Sequence, residues 1–329
     1  MNINTAVILV GGKGTRLYPL TKTRPKPLIP FLNKPIIEYQ IDLLVEAGIQ
    51  RIILALNYFS DQIKHKALEW KANYNIEIIY SHELEPLGTA GPLKLAEKYI
   101  NGNAFIVMNA DIYTSINLTS MITEFKTKKN YDAILLGVEV DNPDKYGLIE
   151  IKNGTVTNFI EKPSYTNGPT NIINGGIYIF NRNILNFIEL KYVSIEKEIF
   201  PQLVQNQKMT IFHFNGIWCD IGVPNEYLKG QKKALGNTNT SNVILGKNIK
   251  MGTNIKLKNC TIFNNTIIED NCIIENAIIG FNCIIKQNTV INDKNIITVL
   301  GDYTLYSNYF KIQSRSRIIR FLFRKLLKF

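Results

Sequence analysis

The chain has 329 residues, more than one ordinary domain core accommodates and enough for two, with 45% hydrophobic and 20% charged residues. Those proportions exclude a largely disordered or collagen-like chain, and no apolar run approaches the roughly 20 residues needed to cross a bilayer. The formal net charge of +11 points to an anionic partner, but only once the charges are located along the chain.

The first residues pass from an apolar stretch straight into glycines, with no basic region ahead of it. They read as a core strand and not as a signal peptide, so a cytoplasmic protein is expected. Short β-branched runs predict strands at residues 6–10, 51–56, 76–80, 105–109 and 133–140. A helix is predicted over 35–47, where Ile37, Ile41, Leu44 and Val45 share one face, a proline stands at the start and Gly48 follows the end. This alternation predicts an α/β, Rossmann-like domain over residues 1–235 with a mostly parallel sheet, and in such sheets ligands sit at the carboxyl ends of the strands.

After a polar linker at 236–242 the pattern changes. Every sixth residue from Val243 is β-branched: Ile249, Ile255, Thr261, Ile267, Ile273, Ile279, Ile285, Ile291 and Ile297 follow in phase. Neither a helix nor a hairpin has that period. It predicts a left-handed parallel β-helix of hexapeptide repeats over 243–300, with about three coils of about 18 residues each. Asn264, Asp270, Asn276, Asn282 and Asn288 recur at the same spacing, where turns need residues that tolerate a positive φ. The remaining 301–329 form a basic tail. In it Ile318, Ile319, Leu322, Phe323, Leu326 and Leu327 fall at helical spacing over 315–329, which predicts an amphipathic helix. Packing of that helix on its own protein or a sister subunit is favoured over a membrane surface or nucleic acid. Six of the net positive charges lie there, leaving +5 for the rest, so nucleic acid is not the expected partner.

Cys219, Cys260, Cys272 and Cys283 contain no CxxC pair, and His65, His82 and His213 are scattered, so a zinc or iron–sulfur site is not expected. A metal would need oxygen ligands, which points to Mg²⁺. The densest motif, Leu9 through Leu17, follows the first strand. Gly11, Gly12 and Gly14 let backbone N–H groups approach a bulky anion, and Arg16 adds a guanidinium fork for the same anion. The GK[ST] ending of a P-loop and the GxGxxG dinucleotide fingerprint are both missing. Downstream, Lys26 stands between Pro25 and Pro27, which stiffen its loop.

The stretch GGKGTRLYPLTKTRPKPLIP resembles the signature of the sugar-nucleotide pyrophosphorylases. SHELEPLGTAGPL (81–93), NAD (109–111), KYG (145–147), FIEKP (159–163), INGGIY (173–178), SIEKEIFP (194–201) and WCDIGVP (218–224) follow in that family's order. The run, over residues 5 to 297, is most similar to the mannose-1-phosphate guanylyltransferases of the catalytic type. The resemblance implies that GTP and mannose 1-phosphate give GDP-mannose and pyrophosphate, with Mg²⁺ as cofactor. It implies nucleotide contacts from Leu9, Gly11, Gly12, Gly14, Thr15, Gly88 and Asn109. Arg16 and Lys26 would neutralise the pyrophosphate, and Lys162 the sugar phosphate. Asp111, which ends an apolar strand, and Asp220 would hold the metal. Tyr146, Gly147, Glu161, Lys162, Asn174 and Gly175 would form the sugar-phosphate pocket, with Gly175 leaving room for the ring.

Glu83 is the candidate reader of guanine, whose N1–H and N2–H₂ donors suit one carboxylate. Two rival readings share these residues: a glucose-1-phosphate nucleotidyltransferase using UTP or dTTP, and a non-catalytic GDP-mannose-sensing regulatory subunit. Hexapeptide acyltransferases use a histidine base, and no histidine follows His213. The β-helix is therefore expected to be an assembly surface, in a homo-oligomer or a hetero-oligomer with a related regulatory subunit.

Overall fold

A computed structural model describes residues 1–57, 60–163, 169–236 and 239–308, and the backbone of Lys311–Gln313. The helix predicted over 315–329 lies outside the described residues. The chain forms two compact units, one of Met1–Gly12 with Ile37–Trp218 and one of Lys13–Ile36 with the chain from Cys219 onward. Among the described residues no helix is long and apolar enough to cross a membrane.

The first unit is built on nine strands: β1 Thr5–Leu9, β2 Arg51–Leu56, β3 Glu77–His82, β4 Ala104–Asn109, β5 Ala133–Glu139, β6 Gly147–Lys152, β7 Thr155–Glu161, β8 Ile172–Asn181 and β9 Met209–Phe214. Across the sheet they run β3-β2-β1-β4-β8-β5-β9-β7-β6. The first four are parallel, as are β5 and β9, while β8 runs antiparallel to both β4 and β5. The mostly parallel sheet expected from the sequence is present, with two reversed strands, β8 in its middle and β7 next to one edge. Val7, Ile8, Ile53, Leu54, Val107 and Met108 are fully buried. Parallel strands with helices on both faces require such continuous apolar runs, and each buried branched side chain contributes about 1.5–3 kcal/mol.

The predicted strands differ from the observed ones by a residue or two. β3 runs past 80 through Ser81, which is 3% exposed, because the polar Ser81 and His82 still pair with Ala55 and Leu56. Leu9 pairs with both Ala55 and Asn109. The segments that leave β1, β2, β3 and β4 therefore emerge together, and they carry Gly11, Asn57, Glu83 and Asp111.

In the second unit, the helix Pro224–Leu235 precedes two ladders of parallel strands. One runs Val243–Leu245, Lys256–Ile262, Ile273–Ile279, then Val290–Ile291 and Thr298–Leu300; the other runs Lys250–Met251, Ile267–Ile268, Ile284–Ile285, Thr304–Tyr306. Lys311–Gln313 then pairs antiparallel with the last of these. Gln231, fully buried on the helix, donates to Asn242 Oδ1 at 3.0 Å and accepts from Thr261 Oγ1, which docks the helix on the first repeat.

The repeat is 17 residues long and not 18 as far as Val290–Ile291, and the last turn takes 21, from Ala277 to Thr298 and from Ile284 to Leu305. Val243 pairs with Cys260 and Cys260 with Ala277. The sixfold count therefore slips by one residue per turn. Ile267 and Ile273 are only half-buried, whereas Thr266, Ile268, Cys272 and Ile274 are buried; by Ile279, Ile285 and Ile291 the count has drifted onto a second inward position. The asparagines slip with it. Positive φ belongs to Asn265 and Asn271 in place of Asn264 and Asp270, and then to Asn276, Asn282 and Asn288 as expected. Asn242–Asn259–Asn276, Asn248–Asn265–Asn282 and Asn254–Asn271–Asn288 form ladders of side-chain amides, each rung 17 residues from the next.

Candidate active site

The first unit gathers most of the predicted site at the carboxyl edge of its sheet. Val10 N donates to Ala55 O, and Ala110 N to Leu9 O, so the turns carrying Gly11, Gly12 and Asp111 are tied to neighbouring strands. Asp111 is half-buried in the turn between Asn109 and Ile112. Glu83 is 6% exposed, and its Oε2 accepts from Leu87 N at 3.1 Å. Burial pushes its carboxyl above the ordinary range, a shift that the Leu87 N–H and His82 partly oppose. A Cβ on Gly11 would stand 3.4 Å from Glu83 Oε1, so the glycine turn and this carboxylate face each other.

Gly88 has φ +76°, and a Cβ there would lie 2.4 Å from Val193 O. The glycine is needed because the 87–91 loop presses on the backbone of 191–193. Two separated motifs interlock here, with Thr89 Oγ1 donating to Glu196 Oε2 at 2.8 Å and Ser194 Oγ donating to the same oxygen. Glu196 was not singled out in the sequence; only its membership of the SIEKEIFP motif marked it.

The residues assigned to the sugar phosphate also come together. Glu161 pairs across strands with Gly147, and Leu148 with Ile173. A Cβ on Gly147 would meet Phe159 at 2.5 Å and Glu161 Oε2 at 3.0 Å. Asn174 donates through Nδ2 to the Tyr178 hydroxyl at 2.9 Å and accepts from Gly176 N at 3.0 Å. The Tyr178 phenol is held well above its usual range by burial first, and by nearby Glu196, Glu161 and Asp111. Tyr146 packs edge-on against Trp218 at 5.4 Å, and Trp218 Nε1 donates to Gly175 O at 2.9 Å. A Cβ on Gly175 would strike Leu136 at 2.8 Å and Val138 at 2.9 Å. The missing side chain at Gly175 is thus accounted for by strand packing. Lys162 adopts φ +43°, and its Nζ lies 2.8 Å from Glu161 Oε1, at the exposed rim.

The second unit holds the rest. Gly14, with φ +63° and ψ +30°, starts the turn Thr15–Leu17 and accepts from Thr21 Oγ1 at 3.0 Å. A Cβ on Gly14 would lie 2.9 Å from Lys26 Cβ, so the glycine and this 8%-exposed lysine are packed together. A Cβ on Gly222 would lie 2.6 Å from Asp220 Oδ1 and 3.1 Å from Arg16 Nη2, which puts carboxylate and guanidinium around one glycine. Asp111 and Asp220 offer hard carboxylate oxygens of the kind Mg²⁺ takes. Among the described residues no group of three or more His, Cys, Asp or Glu stands together. Each carboxylate taken by itself suits a divalent metal that draws the rest of its shell from water and substrate phosphates.

A glycine turn facing a buried carboxylate at the carboxyl edge of a parallel sheet is the arrangement of a nucleotide-binding site. The family model for nucleotidyl transferases matches residues 5–237, and the chain belongs to that family, which generally works with a divalent metal. The model for the GMPPB C-terminal domain matches residues 236–316. Among curated proteins the chain is 42% identical over 232 residues to the mannose-1-phosphate guanylyltransferase catalytic subunit beta of Drosophila melanogaster, covering 70% of this chain and 62% of that protein. It is 42% identical over 240 residues to the mannose-1-phosphate guanyltransferase of Yarrowia lipolytica, covering 72% and 65%. The matched region thus spans less than two thirds of the length of either relative. Among solved structures, HddC from Yersinia pseudotuberculosis complexed with GMP-PN is 34% identical with a TM-score of 0.58, covering 69% of this chain and 97% of that one.

Proposed function

We propose that the protein joins GTP and mannose 1-phosphate into GDP-mannose and pyrophosphate. A phosphate oxygen of the sugar phosphate forms a bond to the nucleotide α-phosphorus, and the α–β bridging bond breaks in line behind it, releasing pyrophosphate. The observation that carries this reading is the 42% identity, over 232 and 240 residues, to relatives named as mannose-1-phosphate guanylyltransferases. Positioning and electrostatics supply the catalysis. Leu9, Gly11, Gly12, Gly14, Thr15, Gly88 and Asn109 hold the nucleotide, chiefly through backbone groups. Arg16 and Lys26 offset the charge that builds on the departing pyrophosphate, and Lys162 steadies the sugar phosphate. Tyr146, Gly147, Glu161 and Asn174 frame the sugar, and Glu83 accepts from guanine. Asp111 and Asp220 would hold Mg²⁺, which would supply charge neutralisation at the phosphates.

The stacked 17-residue repeats are read as a left-handed parallel β-helix that follows a catalytic domain ending near residue 235 and serves as an assembly surface. Asp111→Asn tests the catalytic reading. Turnover at saturating Mg²⁺ should vanish while the thermal midpoint is kept, and substantial residual turnover would rule out the metal role.

A further inference from the structure

The loop that carries Lys26 is fastened to the far end of the stacked repeats by an ion pair with a buried carboxylate and a half-buried guanidinium. Asp302, whose side chain is 1% exposed, accepts through Oδ2 from Arg24 Nη2 at 2.6 Å and from Thr23 Oγ1 at 2.6 Å. Its Oδ1 accepts from Phe281 N at 3.0 Å, and the Arg24 guanidinium lies 3.8 Å over the Phe281 ring, which in turn packs on Phe263 at 5.0 Å. A Cβ on Gly280 would come within 2.7 Å of Asp302 N, so the carboxylate is seated by close backbone contact. The repeat pattern accounts for Oδ1, since Asn264 and Asp270 accept from Lys247 N and Thr253 N in the same way, but an asparagine would serve there, and the pattern does not account for the bonds that Oδ2 accepts from Arg24, 278 residues away, and Thr23.

A partly buried ion pair of this kind contributes little net stability over an apolar contact, because desolvation offsets the attraction; what it fixes is geometry. The fixed point lies two residues before Lys26. Between them is Pro25, held at φ −68° and ψ 147°, and Lys26 itself opens the short turn Lys26–Leu28, with Pro27 next. A segment so restricted transmits the placement of Arg24 to Lys26 with little slack.

We propose that Asp302, acting through Arg24 and Thr23, positions Lys26, so that the last parallel turn of the repeat region is a working part of the site that handles pyrophosphate. This rests on the reading of Lys26 as a cation for the leaving group. Asp302, Arg24, Thr23 and Phe281 are positioning residues, and none of them touches substrate in this account.

The test compares Asp302→Asn, Arg24→Ala and Arg24→Lys with Lys26→Ala and with each double variant, in the full-length protein. Readouts are kcat, KM for each substrate, thermal midpoint, and pyrophosphate affinity by calorimetry. Asp302→Asn and Arg24→Ala should lower kcat about tenfold or more and weaken pyrophosphate in proportion, while KM for the sugar phosphate stays within about twofold. Arg24→Lys should recover part of the loss, and neither change should cost anything further in the Lys26→Ala background. Losses that multiply with Lys26→Ala, or that raise every KM together, would mean a merely structural contact and overturn the proposal. If Asp302→Asn does not fold, Thr23→Ala removes one bond to the same oxygen and should give a smaller loss with the same non-additivity. Wild-type protein that neither turns over nor binds pyrophosphate would overturn the functional reading, and this one with it. Active wild type with unaffected variants would overturn the positioning role alone.

Discussion

Gly11 and Glu83 face each other at the carboxyl edge of the sheet, so closely that a methyl group on the glycine would stand 3.4 Å from the carboxylate Oε1. The proposed role of this buried acid, beside the glycine turn, is to read the nucleotide base. Its raised pKa has a definite sign. The folded protein holds this proton more tightly than the unfolded chain does, so stability falls as pH rises from the ordinary carboxyl range through the raised value. Glu83→Gln should flatten that part of a melting-temperature profile and weaken GTP use more than UTP use. An unchanged profile, or equal loss with both nucleotides, would contradict the role.

Gly14→Ala should be more damaging than its size suggests. The left-handed backbone alone costs about 1–2 kcal/mol for a residue with a Cβ, and here the new carbon would also press on Thr21 at 2.8 Å and Lys26 at 2.9 Å. Gly154 is a control: its φ is +76°, yet nothing lies within 4 Å of its Cβ. Gly154→Ala should lower the thermal midpoint by the backbone cost alone and leave kcat unchanged, whereas Gly14→Ala should lower both. Equal effects would remove the packing argument.

The slip of the repeat predicts a substitution pattern. Asn265 has φ +60° and sits in an amide ladder, while Asn264 does not have a positive φ and accepts from Lys247 N at 2.9 Å. At 265, glycine should be tolerated better than alanine by about 1 kcal/mol. At 264 glycine should hold no advantage. Chemical denaturation of the four variants decides, and the reverse ordering would restore the strict sixfold phase.

All four cysteines are buried, and none is in a disulfide. Burial pushes the Cys219 thiol up to about 11 and the Cys260 thiol up to about 12, and raises Cys272 as well. Thiolate is the reactive form. A thiol reagent at pH 8 should therefore titrate almost none of them in native protein and all four after unfolding. Rapid native labelling would show that the repeats open.

The strands β1 to β5 were legible because each is a short β-branched run beside a turn, and the glycine loop after β1 marked the edge where the ligand belongs. Strands β6 to β9 escaped strand assignment: β6, β7 and β9 are mixed in polarity, with Glu150, Asn158 and His213 in them, and Asn174-Gly175-Gly176 interrupts β8. The six-residue rhythm was legible but its frame was not. Doublets such as Ile267-Ile268, Ile273-Ile274 and Ile284-Ile285 put a branched residue on either side of the inward position, so a frame shifted by one still lands on isoleucine. The ladder asparagines are doubled in the same way at Asn264-Asn265. The Thr89–Glu196 and Arg24–Asp302 contacts join segments far apart in the chain, and only the fold brings them together.

The most direct test of the account is a panel of GTP, UTP, dTTP and ATP against mannose 1-phosphate and glucose 1-phosphate, with pyrophosphate release measured for the purified full-length protein. GTP with mannose 1-phosphate should give the highest kcat/KM, and GDP-mannose as product. Preference for UTP or dTTP with glucose 1-phosphate, or no release with any pair, would contradict it.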